Sequence, residues 1–202
     1  MLVIIDYGIG NVASVYNMFK KIGVSEVVVS SDIKIIEKAK KIVLPGVGAF
    51  DKGMENLENA QLIPILNKKV MEDKTPILGI CLGMQLLTKQ SEEGIRSGLG
   101  WIDAKTIQFK PDSSFGLKVP HMGWDYISVT RENKLLENVK QRFYFVHSYF
   151  VKCTYAEHSI ATCNFGGDFT CSVNKENIYG TQFHPEKSLN FGMKVFENFA
   201  KL

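Results

Sequence analysis

Pro76-Ile77-Leu78-Gly79-Ile80-Cys81-Leu82-Gly83-Met84-Gln85-Leu86-Leu87 is the stretch on which the fold turns. A short apolar run leads into a glycine-flanked cysteine, and a helix-like run leaves it. That is strand, sharp turn, helix. Small residues on both sides let the backbone bend tightly and push the cysteine into a cleft, as a nucleophile elbow requires. A cysteine used in this way needs a histidine base, an orienting carboxylate and donors for an oxyanion elsewhere in the chain.

Working outward, the first half alternates. Residues 2–6 read as a strand, 11–21 as a helix stopped by Gly23, and 27–30 as a second strand. Asp32 is placed to cap a helix running to about Lys40. Ile42-Val43-Leu44 reads as a third strand ending in Pro45-Gly46-Val47-Gly48. Asp51 is placed to cap another helix, and 62–72 is again helical in pattern. Strands alternating with helices predict an α/β fold: a mostly parallel central sheet with helices on both faces. From Gly100 to Tyr179 the character changes to short β-like runs, 106–109, 126–130, 143–151, 160–164 and 169–173. These predict antiparallel additions to the same sheet. A final helix over 191–202 is apolar at Met193, Phe196 and Phe199. With no repeat, low-complexity tract or linker, residues 1–202 read as a single domain.

Composition narrows the function classes. A chain of 202 residues buries roughly 70% of its unfolded surface without disulfide staples. A net charge of +3 with no dense Lys/Arg stripe argues against nucleic acid. The apolar runs are too short for a bilayer, and Met1–Asp6 reads as a strand rather than an export signal. The expectation is a cytoplasmic protein away from membranes. Four cysteines, Cys81, Cys153, Cys163 and Cys171, match no zinc spacing, so no metal or other cofactor is expected. The last three sit in strand-like runs and read as buried free thiols.

The partners of Cys81 come from two further motifs. Gln182-Phe183-His184-Pro185-Glu186 offers His184 as base and Glu186 as the carboxylate behind it. In an extended segment residues two apart share a side, and Pro185 stiffens the link. Pro45-Gly46-Val47-Gly48-Ala49-Phe50 follows a parallel strand, at the edge where open α/β sheets bind ligands. An oxyanion hole is then assembled from the Leu82 N–H, directly after the nucleophile, and one from Val47 or Gly48. Taken alone, this loop reads better as an ordinary Gly-Pro turn.

Gly-Ile-Cys-Leu-Gly-Met-Gln with a distant His-Pro-Glu resembles the triad class of glutamine amidotransferases. Pro120-His121-Met122-Gly123-Trp124, Tyr144-Phe145-Val146-His147-Ser148-Tyr149 and His-Pro-Glu-Lys-Ser narrow the resemblance to one family, the glutaminase subunit of imidazole glycerol phosphate synthase. The resemblance implies hydrolysis of L-glutamine to glutamate and ammonia through a thioester on Cys81. It implies that Gly48, Gln85 and Glu93 hold the glutamine, with Tyr144, His147 and Ser148 close by; His147 and Ser148 read equally as hydrogen-bonding residues of a β core. It also implies a heterodimer with a (β/α)8-barrel cyclase subunit, which uses the ammonia, and a glutaminase nearly idle until that partner docks. Asn11, Met122, Trp124 and Lys187 match interface positions. The sequence ends soon after Glu186, which leaves the acceptor chemistry to that other polypeptide.

Three rival readings stand. Leu99-Gly100-Trp101-Ile102, Tyr149-Phe150-Val151, and Asp168-Phe169-Thr170-Cys171 with Asn177-Ile178-Tyr179-Gly180 are similar to a second branch of this subunit, which serves an amidotransferase of amidino-sugar synthesis for surface polysaccharide. A stand-alone cysteine hydrolase would be active without a partner. A dead regulatory module would lack a triad member, and all three are present.

Overall fold

The computed structural model describes residues 1–140 and 142–202. Its first half is β1 (Leu2–Ile5), α1 (Val12–Lys21), β2 (Val27–Ser30), α2 (Ile33–Glu37), β3 (Lys41–Gly46), α3 (Phe50–Asn59), α4 (Ile63–Asn67) running into a π-helical turn (Lys68–Glu72), β4 (Ile77–Cys81) and α5 (Leu82–Leu86). The strands lie parallel in the order β2-β1-β3-β4. Their residues alternate between two cores: Val3 and Ile5 join Phe50, Met54 and Leu57 of α3, whereas Leu2 and Ile4 join Val15 and Phe19 of α1. That period of two is what a strand covered on both faces produces.

The second half adds β5 (Gln90–Ser91), β6 (Ala104–Gln108), β7 (His121–Val129), β8 (Arg142–His147), β9 (Tyr149–Cys153), β10 (Ser159–Asn164), β11 (Asp168–Lys175), β12 (Ile178–Thr181) and α6 (Leu189–Lys201). The sheet continues β4-β12-β11-β10-β7-β8, and all of these neighbours are antiparallel except the parallel pair β4–β12. β9 links β11 to β6. α6 closes the α1 side with Val195, Phe196 and Phe199.

Several elements depart from the sequence expectation. β12 is a strand that propensity does not announce, because Gly180 interrupts it. A Cβ on Gly180 would lie 2.7 Å from the Met84 side chain, so the glycine makes room for α5. The run 143–151 is two strands, parted at Ser148. His147 pairs with β7 and Tyr149 with β6, so the chain changes partner between them. Asp32 does cap, accepting the Lys34 N–H at 2.8 Å, but the helix ends at Glu37 because the Lys40 N–H is drawn to the Met1 carbonyl. Asp51 is not a cap. It lies inside α3, and its carboxylate instead accepts the backbone N–H groups of Ile95 and Arg96 at 3.0 Å each. Cys153 is only half-buried; Cys163 and Cys171 are buried, and all four thiols are free.

Register positions the site. Gly46 pairs with Cys81 across β3–β4, and Thr181 pairs with Ile80 across β12–β4. Three parallel strands therefore end together and deliver residues 47–49, Cys81 and 182–186 to one edge, where open α/β sheets place ligands.

Candidate active site

Cys81 ends β4 with φ +54° and ψ −110°, a conformation that non-glycine residues avoid at a cost of about 1–3 kcal/mol. The surroundings hold it there. A Cβ on Gly83 would run into the Leu44 carbonyl oxygen, and one on Gly79 would lie 2.7 Å from the Gly83 carbonyl carbon. Only glycines let α5 press this closely on β3 and β4. The side chain is buried yet lines a cleft of about 640 Å³.

His184 lines the same cleft, and its Nδ1 lies 2.8 Å from Glu186 Oε1, with both side chains almost wholly buried. The pair is not made on an extended segment as the spacing suggested. Pro185–Lys187 is a 3₁₀ turn, tied down where Ser188 Oγ donates to the His184 carbonyl at 2.6 Å. Burial alone would lower the His184 pKa. The nearby Cys81 sulfur, and then the hydrogen-bonded Glu186, outweigh burial and push it up to about 10. Nε2 sits near enough to feel that sulfur, but among the described residues no partner meets ordinary hydrogen-bond geometry with it.

Val47, Gly48 and Leu82 line the cleft beside Cys81. Gly48 has φ +102°, a conformation that favours glycine. Behind this loop the buried Tyr7 hydroxyl donates to the Pro45 carbonyl at 2.7 Å. Gln85, Glu93, His147 and Ser148 complete the wall. Glu93 Oε2 accepts the Phe50 N–H at 2.8 Å, while burial raises its pKa.

Tyr144 does not line the cleft. Its ring lies edge-on to Trp124 at 6.2 Å, with the Lys187 ammonium 5.8 Å from its centroid. Lys187 itself reaches the cleft rim. Met122 is 62% and Trp124 38% exposed, on the outer face of β7 together with Tyr126. Asn11 stands at the N-cap of α1 without a capping side-chain bond.

The buried histidine on β8 is spoken for. His147 Nδ1 donates to the Tyr149 carbonyl at 2.7 Å, and its Nε2 faces His121 Nδ1 at 3.2 Å. His121 Nε2 in turn faces Asp125 Oδ2 at 3.2 Å. Burial first, then the neighbouring histidines, drop the His147 pKa to about 3 even though Tyr149 favours the proton. Both ring nitrogens are occupied, so the β-core reading of His147 fits better than direct substrate contact. Three residues beside the cleft escaped the sequence reading: Tyr7, His121 and Gln182. The last is fully buried and donates to Cys81 Sγ at 3.6 Å. His121 and Gln182 lie inside motifs already singled out; a polar residue at a buried strand end was the available signal.

Volume alone would mislead. A groove of about 710 Å³ between Ile33, Pro64 and Lys68 is larger, but no cysteine or histidine lines it. No helix among the described residues is long and apolar enough to cross a membrane.

The sequence profile of the class-I glutamine amidotransferases matches residues 3–202. The chain is 55% identical to imidazole glycerol phosphate synthase subunit HisH 2 of Methanococcus maripaludis, over 100% of this chain and 99% of that one. It is 46% identical to the subunit HisH 2 of Pseudomonas aeruginosa over the full length of both. Among solved structures, PurLQS from Thermotoga maritima superposes with a TM-score of 0.73 at 19% identity, covering 99% of this chain and 97% of that one, a likeness of fold.

Proposed function

The chain belongs to the class-I glutamine amidotransferase family, and we propose that it is the glutaminase subunit of an imidazole glycerol phosphate synthase in histidine biosynthesis. Cys81 attacks the side-chain amide carbon of L-glutamine, and the N–H groups of Leu82 and of Val47 or Gly48 receive the oxyanion. The charged His184 gives its proton to the departing nitrogen, so ammonia leaves and a glutamyl thioester remains. Neutral His184 then takes a proton from water, which attacks the thioester. Glutamate departs, and the sulfur and the charged imidazole are restored. Glu186 holds the imidazole by Nδ1 so that Nε2 faces the reaction. Glu93 binds the α-ammonium of glutamine, and the cleft wall at Gln85 and Ser148 frames its chain.

The observation that carries this reading is the strained elbow of Cys81 beside the buried His184–Glu186 pair, 2.8 Å apart. Ammonia released to water at neutral pH is protonated and lost as a nucleophile, so the product passes to a synthase partner. That partner is a (β/α)8-barrel cyclase, docked on the face of Met122, Trp124 and Lys187 in a cytoplasmic heterodimer. Cys81→Ala in the assembled complex should end glutamine-dependent synthesis and leave ammonia-dependent synthesis intact. Loss of both in a folded complex would sink the scheme. A glutamine-analogue electrophile should add to Cys81; an adduct on Cys153, Cys163 or Cys171 would refute the assignment.

The same chemistry could instead feed an amidino-sugar amidotransferase. The stretches 99–102, 149–151, 168–171 and 177–180, which resemble that branch, are what support this second reading. Affinity capture that returns a sugar amidotransferase and no barrel cyclase would select it.

A further inference from the structure

We propose that Gln182 is a catalytic residue: its side-chain amide N–H holds the Cys81 sulfur in its nucleophilic form, and Gln85 fixes the orientation of that amide. The inference rests on Cys81 being the nucleophile.

The assignment follows from counting donors. The Tyr149 backbone carbonyl only accepts. It takes the His147 Nδ1–H at 2.7 Å, so the Gln85 group facing it at 3.1 Å must be the NH2. The second hydrogen of that NH2 points to Gln182 at 3.1 Å, which makes the Gln182 atom there the carbonyl oxygen. The remaining end of Gln182, its NH2, then faces Cys81 Sγ at 3.6 Å. Reversing Gln182 would set two NH2 groups against each other and its carbonyl oxygen against the sulfur. A main-chain carbonyl thus dictates, through two side chains, that a donor meets the nucleophile. Gln182 is wholly buried and Gln85 nearly so, so no water competes for these bonds. A donor held on a thiolate stabilises it, and hydrogen bonds to charged groups are the stronger kind. The arrangement has a consequence for Gln85. Both its N–H groups are spent inside the protein, so it meets substrate through Oε1 and recognises N–H donors of the ligand.

The test uses a small haloacetamide, which reports the reactivity of Cys81 without needing glutamine or a partner. Peptide mapping of the wild type must place the label on Cys81. A label elsewhere overturns the nucleophile reading itself, whatever Gln182 does. With Cys81 labelled, Gln182→Met, which keeps volume and removes the donor, should slow alkylation near neutral pH roughly tenfold. The deficit should close at alkaline pH, where the sulfur ionises unaided. The other titratable groups that reach this sulfur, Tyr7 and His184 with Glu186 behind it, are unchanged in the variant. Gln182→Glu, which also lacks the donor and adds a negative charge, should be slower still, and it stands in if the methionine variant fails to fold. Gln85→Leu should slow alkylation as well, and the double variant Gln85→Leu/Gln182→Met should be no slower than Gln182→Met alone. Wild-type rates in the folded Gln182 variants, or a deficit equal at every pH, would overturn the role of Gln182. Additive losses in the double variant would overturn the control by Gln85.

Discussion

Two histidine–carboxylate pairs stand in this molecule, and they behave oppositely. His184 and Glu186 meet at 2.8 Å, with both side chains at most 2% exposed, and the imidazole pKa is pushed up to about 10. His121 and Asp125 meet at 3.2 Å on β7, the carboxylate is 39% exposed, and the imidazole pKa is lowered because burial wins over Asp125. The neighbours make the difference. His184 has the Cys81 sulfur on its far side, which raises its pKa, whereas His121 has a neutral histidine, His147, and the stacked rings of Phe145 and Phe165. A carboxylate against one nitrogen therefore does not make a histidine an acid–base group. The group facing the second nitrogen decides it.

The most severe way to break the contrast is to remove that sulfur. Cys81→Ala should cut glutamine hydrolysis by roughly 10⁴-fold or more. It should also let the His184 pKa fall from about 10 toward the ordinary histidine range, read by an NMR titration of the imidazole. The sign follows from the cause: an anion favours the protonated ring, so its loss moves deprotonation to lower pH. A His184 pKa that stays near 10 in the variant would transfer the cause to Glu186.

Glu186→Gln probes the other side of the ring. The amide keeps a hydrogen bond to Nδ1 but no longer stabilises the imidazolium, so kcat should fall roughly 10²- to 10⁴-fold in a protein of unchanged melting temperature. A loss of less than about threefold would reduce Glu186 to a packing residue like Asp125.

The pairs also differ in backbone. His121 lies in a regular ladder opposite His147, whereas the corner of His184 is built around the strained Cys81 and glycines that nothing larger replaces. Gly83→Ala, whose Cβ meets the Leu44 carbonyl, should destabilise the fold by about 2–4 kcal/mol, seen as a lowered denaturation midpoint. His121→Gln should cost less.

How much could be read in advance divides along the same line. The reacting corner was legible because strand ends, glycines and motif spacing specify it locally: Cys81, His184 and the Val47–Gly48 loop do converge on one cleft, with Glu186 behind His184. The elements of the parallel half were legible from their alternation. What was hidden depends on tertiary pairing. β12 is too short and glycine-broken to announce itself, and the partner switch at Ser148 is decided by β6 and β7. Tyr144 points away from the cleft because β8 alternates it with the buried Phe143 and Phe145. The hydrogen bonds that join the Tyr149 carbonyl, Gln85 and Gln182 close only in three dimensions. Asp51 looked like a cap because cap propensity is local, whereas the N–H groups it satisfies lie at Ile95 and Arg96.

The mildest test separates binding from chemistry within the cleft. Glu93 is a carboxylate with no histidine beside it. Its Oε2 accepts the Phe50 N–H, and burial raises its pKa, so it pays to stay charged unless a cation arrives. The α-ammonium of glutamine is such a cation. Glu93→Gln keeps the bond to Phe50 through the amide oxygen and removes only the charge. KM for glutamine should rise about tenfold with kcat within about twofold, because the lost contact is equal in ground and transition states. An equal fall in kcat would place Glu93 in the reacting corner with His184 and erase the boundary between the two regions.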